Sequence, residues 1–501
     1  MKASKSGSPR QKMVRLIALI LCVLLIATTI GYALMTIASA EENAPGIQLS
    51  LTVEEAAGGV HASQAVFFSN DTGGPIGEIL FQIPANSLRR RTTVPSDGKR
   101  VSMLYGENGF SFGGVSISSV LVDGRKALWG VSGEGETTLH VIADLPEGAR
   151  CRIQIEYDIL LPASSGFLGM NGSEWRLAGC FPVLGVYDPS LETTDVMEPG
   201  PVGEWLYADE TDMEISLSIP GNMTVAAGGT LSEEEEEGRK NVRILLTEAR
   251  DFACVIGNGY TAASDEGLRA CAPVQEEADR MLGIAKKALN VFRGWIGETP
   301  GETTAFAACD VPDGTRVYSR MVFIDRNLLR AGNGESLERE IVTGLAKQYF
   351  SIRVNNHPQR EAWLGEAIPA YMTLLYYEEV YGKDRFLKEL NDCCLDALNQ
   401  TIPGGIGVDS NISLIASEEE YRVIMQGRGA AVLHEIRQVT GKDAFLEAIR
   451  LYYENACGKH GTIADFSAAL NQAAGREMDY YLMEMLRNIG DYVNQQMEWY
   501  E

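Results

Sequence analysis

The sequence predicts an α+β chain of more than one domain, an all-β half followed by a mostly helical half with a small sheet at its start. From about residue 46 to 265 the apolar residues alternate in short runs broken by Gly, Pro, Asn and Asp, the period of strands. From about 270 to 500 they recur every three or four residues, the period of helices buried on one face. The roughly 460 residues beyond the start exceed what one core usually holds, so two or three domains of about 150 residues each are expected.

The first fifteen residues carry Lys2, Lys5, Arg10, Lys12 and Arg15 and no acid, and residues 16–40 are uncharged and apolar. A basic stub of 1–15 before such a run stays inside, so 16–40 is a transmembrane anchor or signal peptide that places the rest of the chain outside. A spanning helix needs about 20 residues, which favours an anchor; Ala38-Ser39-Ala40 before Glu41 also reads as a cleavage site, and cleavage after Ala40 would give a secreted protein. Cys22 lacks the small residue that lipidation wants before it.

The net charge of −25 with no basic stripe excludes nucleic acid as a partner, since nothing would neutralise phosphates. Nine cysteines without a CxxC pair make neither a disulfide framework nor a metal ribbon, and Cys393-Cys394 reads as helix packing. The five histidines are scattered, none paired with another at helical metal-binding spacing. His357 and Glu361 are four apart, but Pro358 keeps His357 in a loop and no third ligand is near.

In the β half, Glu78–Ile83, Val115–Val120 and Arg152–Tyr157 read as strands. The acidic run Glu233–Glu237 before Gly238 reads as a solvated turn. Gly109-Phe110-Ser111-Phe112-Gly113 spells a hydrolase elbow, but another β run follows where that motif needs a helix. In the helical half, Met281, Ile284, Ala285, Ala288, Leu289 and Phe292 share a helix face. Thr303–Val311 and Arg316–Asp325 read as strands, and helices are expected near 336–350, 361–381, 384–398, 417–440, 443–456, 463–474 and 477–499.

Several blocks, in order, resemble the aminopeptidase N family of gluzincin zinc metallopeptidases. They include Gly179–Asp188, Asp212–Pro220, Thr224–Gly229 and Ala249–Ala253, and later Arg428–Leu433, so the similarity covers most of residues 50 to 498. It implies an N-terminal β domain of saddle or sandwich type over 46–265 and a thermolysin-like domain over 270–500, with a cleft between them. Such enzymes hold zinc with two histidines one helical turn apart, a glutamate beside the first acting as general base, and a second glutamate downstream. The stretch that resembles this helix is Ile341–Phe350, which puts Thr343 and Lys347 at the histidine positions and Gly344 at the base. Trp363-Leu364-Gly365-Glu366-Ala367 looks like the family's Trp-Leu-x-Glu-Gly segment, with eighteen residues between Lys347 and Glu366 as the family spacing has it.

One ligand position of three thus keeps its type. Val317 stands where the resemblance places the glutamate that binds a substrate's free amine, and Gln426 where it places the tyrosine that stabilises the tetrahedral intermediate. Zinc binding of about 10 to 16 kcal/mol depends on a full set of deprotonated ligands, so no cofactor is expected; zinc belongs only to the alternative of an active aminopeptidase with unusual ligands. Lys347 is expected to replace the metal's charge and pair with Glu366. The sequence therefore points to a degenerate, non-catalytic aminopeptidase-like ectodomain that binds peptide or protein at the cell exterior, single-pass with its N-terminus inside. A structural ectodomain of a membrane assembly is the further alternative.

Overall fold

The computed structural model describes residues 46–495, apart from 55–57, 96–97, 298–300, 313 and 403. The basic stub, the apolar segment 16–40 and the site after Ala40 lie outside the described residues; within them no helix is long and apolar enough to cross a membrane.

The β half is built on an eight-stranded sheet in the order Thr230–Glu236, Arg239–Ala249, Thr211–Pro220, Ile47–Glu54, Gly59–Ser69, Arg150–Leu160, Gly114–Val122, Arg125–Lys126. Ile47–Glu54 runs parallel to Thr211–Pro220 with Ile47 opposite Met213, and the other pairings are antiparallel. Alternation sets the faces. Along Arg150–Leu160, Cys151, Ile153, Ile155, Tyr157 and Ile159 are buried while Arg152, Glu156 and Asp158 are exposed. Each large apolar side chain so buried contributes about 1.5–3 kcal/mol. A four-stranded sheet of Val183–Leu184, Ile76–Gln82, Thr138–Leu145 and Trp129–Ser132 closes the same core through Ile79, Phe81, Leu139 and Val141.

A third sheet, ordered Thr224–Ala227, Ala253–Gly257, Glu174–Ala178, Gly169–Asn171, is the layer between the halves. Its two central strands are buried at every position, because one face joins the β core through Trp175, Leu177, Cys254 and Ile256. The other face presents Ala178, Ala226, Ala253 and Val255 to Ala305, Ala307, Met321 and Phe323 of the second half. Small side chains let the layers approach closely, and at Gly228 even a Cβ would overlap the Arg320 carbonyl.

The helical half opens on a five-stranded sheet ordered Thr261–Asp265, Leu268–Ala272, Thr304–Cys309, Met321–Asp325, Arg316–Tyr318. The helix Gln275–Trp295 crosses between its second and third strands and buries Ala278, Met281, Ala285, Ala288, Leu289 and Phe292. Ile284, expected on that face, is half-buried. The remaining helices run from Gly334 to the end of the described residues and share one core with this sheet.

Four expectations are corrected. Thr261–Asp265 lies inside the stretch read as the β half but pairs with Leu268–Ala272 in the second sheet, so that sheet begins before residue 270. The acidic run is a strand, with only Glu237-Gly238 turning: Glu233 to Glu236 pair with Val242 to Arg239, and their exposure lets water solvate the charges. Arg316–Asp325 is a hairpin rather than one strand, broken at Arg320, whose φ of 59° no strand accepts. The all-β half contains a short helix, Gly98–Tyr105.

His434 illustrates the pressure of the helical core. It is buried, 2.9 Å from the Tyr371 hydroxyl through Nδ1, and burial, aided by the charge of Arg437, lowers its pKa from 6.5 to about 4. Between those two values the unfolded chain takes up a proton that the folded chain refuses, so this histidine's contribution is full above pH 6.5 and is lost as pH falls towards 4. Denaturant melts should show wild type losing about 3 kcal/mol more than His434→Gln between pH 7 and pH 4. Equal losses in the two proteins would show that the folded state tolerates the charged ring.

Candidate functional site

The cleft is built on two helices. The first, Gly334–Lys347, buries Leu337, Ile341, Val342 and Leu345 and turns Thr343 and Lys347 to the cleft. It continues as a π-helix over Gln348–Arg353. Gln348 fixes its end against the Arg316–Asp325 hairpin, accepting from the Arg320 amide at 3.1 Å and donating to the Tyr318 carbonyl at 2.8 Å.

The second helix, Ala362–Tyr381, is apolar nearly all round and buried accordingly. It carries Pro369 in its interior, which removes the amide that would bond the Gly365 carbonyl. The Ser351 hydroxyl donates to that carbonyl instead, at 2.6 Å. The bond ties the second helix to the π-stretch of the first, one residue from Glu366.

Glu366 is 7% exposed and its two oxygens take different donors. Lys347 Nζ donates to Oε1 at 2.6 Å, and Gln426 Nε2 to Oε2 at 2.8 Å. Burial alone would lower the Lys347 pKa, but the charge of Glu366 and the hydrogen bond to it outweigh burial and leave the ammonium above its ordinary value. Thr343 points the other way along the helix and shares a hydroxyl hydrogen bond of 2.9 Å with Thr373. Of the residues singled out from the sequence, Lys347, Glu366 and Gln426 converge, Thr343 sits one turn aside, and Val317 lines the opposite wall from the hairpin.

Gly344 leaves no room for an acid. A Cβ there would stand 2.8 Å from Val322 Cγ1, so the sheet strand Met321–Asp325 has packed into the space that a side chain at 344 would use. His357 and Glu361 do not form a ligand pair. His357 Nε2 lies 3.1 Å from Asp195, and the Glu361 carboxylate accepts from the Ile463 amide at 2.6 Å.

Tyr421 is the residue that sequence reasoning passed over. It ends the short helix Glu418–Tyr421, and the π-helix Arg422–Arg428 follows. In a π-turn residues five apart stack on one side, so Tyr421 and Gln426 both reach Glu366. Burial, then the negative charge of Glu366, Glu204 and Glu418, holds the Tyr421 hydroxyl well above its ordinary pKa, so it stays a proton-bearing donor. The only sequence signal is its aromatic character, because no heptad or α-helical spacing marks a π-turn in advance.

These residues floor a cavity of about 760 Å³ between the halves. Arg100 and Glu418 face each other across it at 2.5 Å, one from each half, and Glu204 and Arg316 reach its wall. A smaller cavity of about 120 Å³ behind Lys347 and Glu366 is lined by Arg250, Asp251, Ser351 and Asn355. A hydroxyl, an ammonium and one carboxylate at this place do not fit a zinc ion, which needs three deprotonated N, O or S ligands. Among the described residues no group of three or more His, Cys, Asp or Glu is arranged to hold a metal.

No protein-family description and no curated protein matches the sequence. Solved structures do. The M1 zinc metallopeptidase from Deinococcus radiodurans matches with a TM-score of 0.62 at 16% identity, over 88% of this chain and 92% of that one. The chain has the M1 metallopeptidase fold. A mutant of the Deinococcus enzyme bound to a Tyr-Ser-Ala substrate gives a TM-score of 0.60 at 16% identity, over 88% and 93%. Aminopeptidase A from Legionella pneumophila, in complex with aspartic acid, gives 0.61 at 12% identity, over 88% of this chain and 49% of that chain. The resemblance read from the ordered sequence blocks thus holds at the level of fold, and the β half and helical half correspond to it.

Removing one partner of a buried ion pair leaves the other uncompensated, so Lys347→Met and Glu366→Gln should each cost about 3 kcal/mol of stability, and the double variant less than their sum. The raised Lys347 pKa adds a sign: the pair's contribution is full below pH 10.5 and is lost as pH climbs through the folded-state value. Denaturant melts of the four proteins at pH 7 and above pH 11 test both statements, and additive single-variant costs would mean that the two groups are not coupled.

Proposed function

We propose that this chain is a non-catalytic, peptidase-shaped ectodomain that binds a peptide or an extended protein segment in the cleft between its halves, held at the cell exterior by its N-terminal apolar segment. The observation that carries the reading is the Lys347 ammonium, 2.6 Å from Glu366, two positions that the sequence resemblance assigns to metal ligands. A fixed cation replaces a dication as counter-charge, and the chemistry of a metal-activated water goes with it.

The same ammonium suits binding. Among the described residues Glu366 is its hydrogen-bond partner, and Lys347 lines both cavities, so its remaining N–H groups are available to a peptide carbonyl. The hairpin strand Arg316–Tyr318 edges the same cavity, where an extended segment can add alongside a strand. That the Deinococcus enzyme holds Tyr-Ser-Ala in this fold supports a peptide-class ligand.

The test is metal content by mass spectrometry of the full chain purified in detergent and incubated with zinc, together with turnover of aminoacyl amides and calorimetry with short peptides. The expected outcome is zinc far below one per chain, no turnover, and peptide binding that weakens roughly tenfold in Lys347→Met, the loss of one charge-assisted hydrogen bond. Stoichiometric zinc with turnover would overturn the proposal in favour of an aminopeptidase with unusual ligands.

A further inference from the structure

We infer that the edge of the β half formed by Leu128, Trp129, Val131 and Ile142 rests on the lipid surface of the membrane to which the chain is tethered. This rests on the reading of the N-terminal apolar segment as the attachment to that membrane, and adds which face of the described chain meets it.

The edge is an apolar patch open to water. Leu128 is 78% exposed, Ile142 46%, and Trp129 and Val131 38% each. They lie on two paired strands. Trp129 is opposite Val141, and the Ile142 amide donates to the Leu128 carbonyl at 2.9 Å, so Leu128 and Ile142 stand side by side. Along Thr138–Leu145 the alternation that buries Leu139 and Val141 turns Ile142 outward, and Trp129–Ser132 is the last strand of its sheet. Just upstream, Arg125 and Lys126 are exposed and in no ion pair among the described residues. An indole among aliphatic side chains with cations at its border suits the boundary of a bilayer: the apolar groups enter it while the long stems of Arg and Lys carry their charges to the headgroups. An added protein strand is the poorer occupant, because this edge strand has four residues and Gly130 is one of them.

The tether selects the bilayer as occupant. Ile47 opens the first strand, one residue after the described chain begins. Across the eight-stranded sheet Ile47 is level with Val66, Val66 with Ile153, Ile153 with Val122 and Val122 with Arg125. Four strand spacings thus separate Ile47 from Arg125, about 19 Å. The five residues 41–45 that join the apolar segment to Gly46 reach at most about 18 Å. A membrane held that close to Gly46 is within reach of the row that leads to the patch. Tethering makes the contact intramolecular, so a patch of four side chains needs little affinity of its own. The net charge of −25 gives the rest of the surface no attraction to anionic lipid, which favours this apolar edge as the face turned to the membrane.

The experiment reconstitutes the full chain into phosphatidylcholine vesicles, with or without lipid brominated near the headgroup end of its acyl chains, and reads flotation and tryptophan emission. Bromine quenches an indole only at short range, and the buried Trp175, Trp205 and Trp363 supply unquenched background. The chain should float with the vesicles, and brominated lipid should remove the part of the emission that Trp129 contributes. That loss should vanish in Trp129→Phe. It should vanish also in the Leu128→Glu, Ile142→Glu double variant, which keeps Trp129, with circular dichroism checking that both variants fold. A chain that floats but is quenched equally in all three proteins, or in none, overturns this inference and leaves the membrane attachment standing. A chain that does not float overturns both.

Discussion

Glu366 is a carboxylate withdrawn from water, and the elements around it are arranged by its need for donors. Lys347 comes from the first cleft helix, Gln426 and Tyr421 from a π-turn at the far end of the half, and each reaches one small group of atoms. A buried carboxylate without such donors would take up a proton or turn out to solvent. Here it stays buried because a cation stands beside it. That requirement explains why two of the three π-stretches among the described residues abut this site, since an extra residue per turn is a small local cost for aiming a side chain that an α-helix would point elsewhere.

The halves meet without a hinge of small contacts. The two central strands of the third sheet are buried on both faces, and Glu210 lies between Arg250 at 3.3 Å and Arg353 at 2.7 Å, with Arg353 also 2.8 Å from Glu248. Burial lowers the Arg250 pKa to about 9 despite Glu210, a measure of how far this seam is from water. Around it, the Ser319 amide donates to Asp251 at 2.6 Å and the Arg250 guanidinium to the Ser351 carbonyl at 3.3 Å. The segment Ala249–Ala253 is thus where the β half grips both the hairpin and the π-stretch below the cleft.

Much of this was legible in the sequence because it rests on periodicity and spacing. The change from a two-residue to a three-and-four-residue rhythm marks the two halves, and the interval between Lys347 and Glu366 places both on facing helices whose charged groups the structure brings to 2.6 Å. What was not legible depends on geometry that leaves no rhythm. A single positive φ at Arg320 folds one apparent strand into a hairpin, and an inserted residue before Gln426 brings in Tyr421. The acidic strand misled for a different reason. Like charges argue for a loop, yet Lys240 lies 3.5 Å from Glu233 and water takes the rest, so pairing with Arg239–Ala249 outweighs their repulsion. Gly344 was visible as a gap in a motif; that Val322 fills the gap was not.

The double burial of the middle sheet has a consequence for the time course of recognition. Walls that share a buried layer favour a receptor whose groups already stand in place when a ligand arrives, with little rearrangement between encounter and capture. The ordering that binding demands then falls mainly on the visitor, and a segment already extended would lose the least by entering.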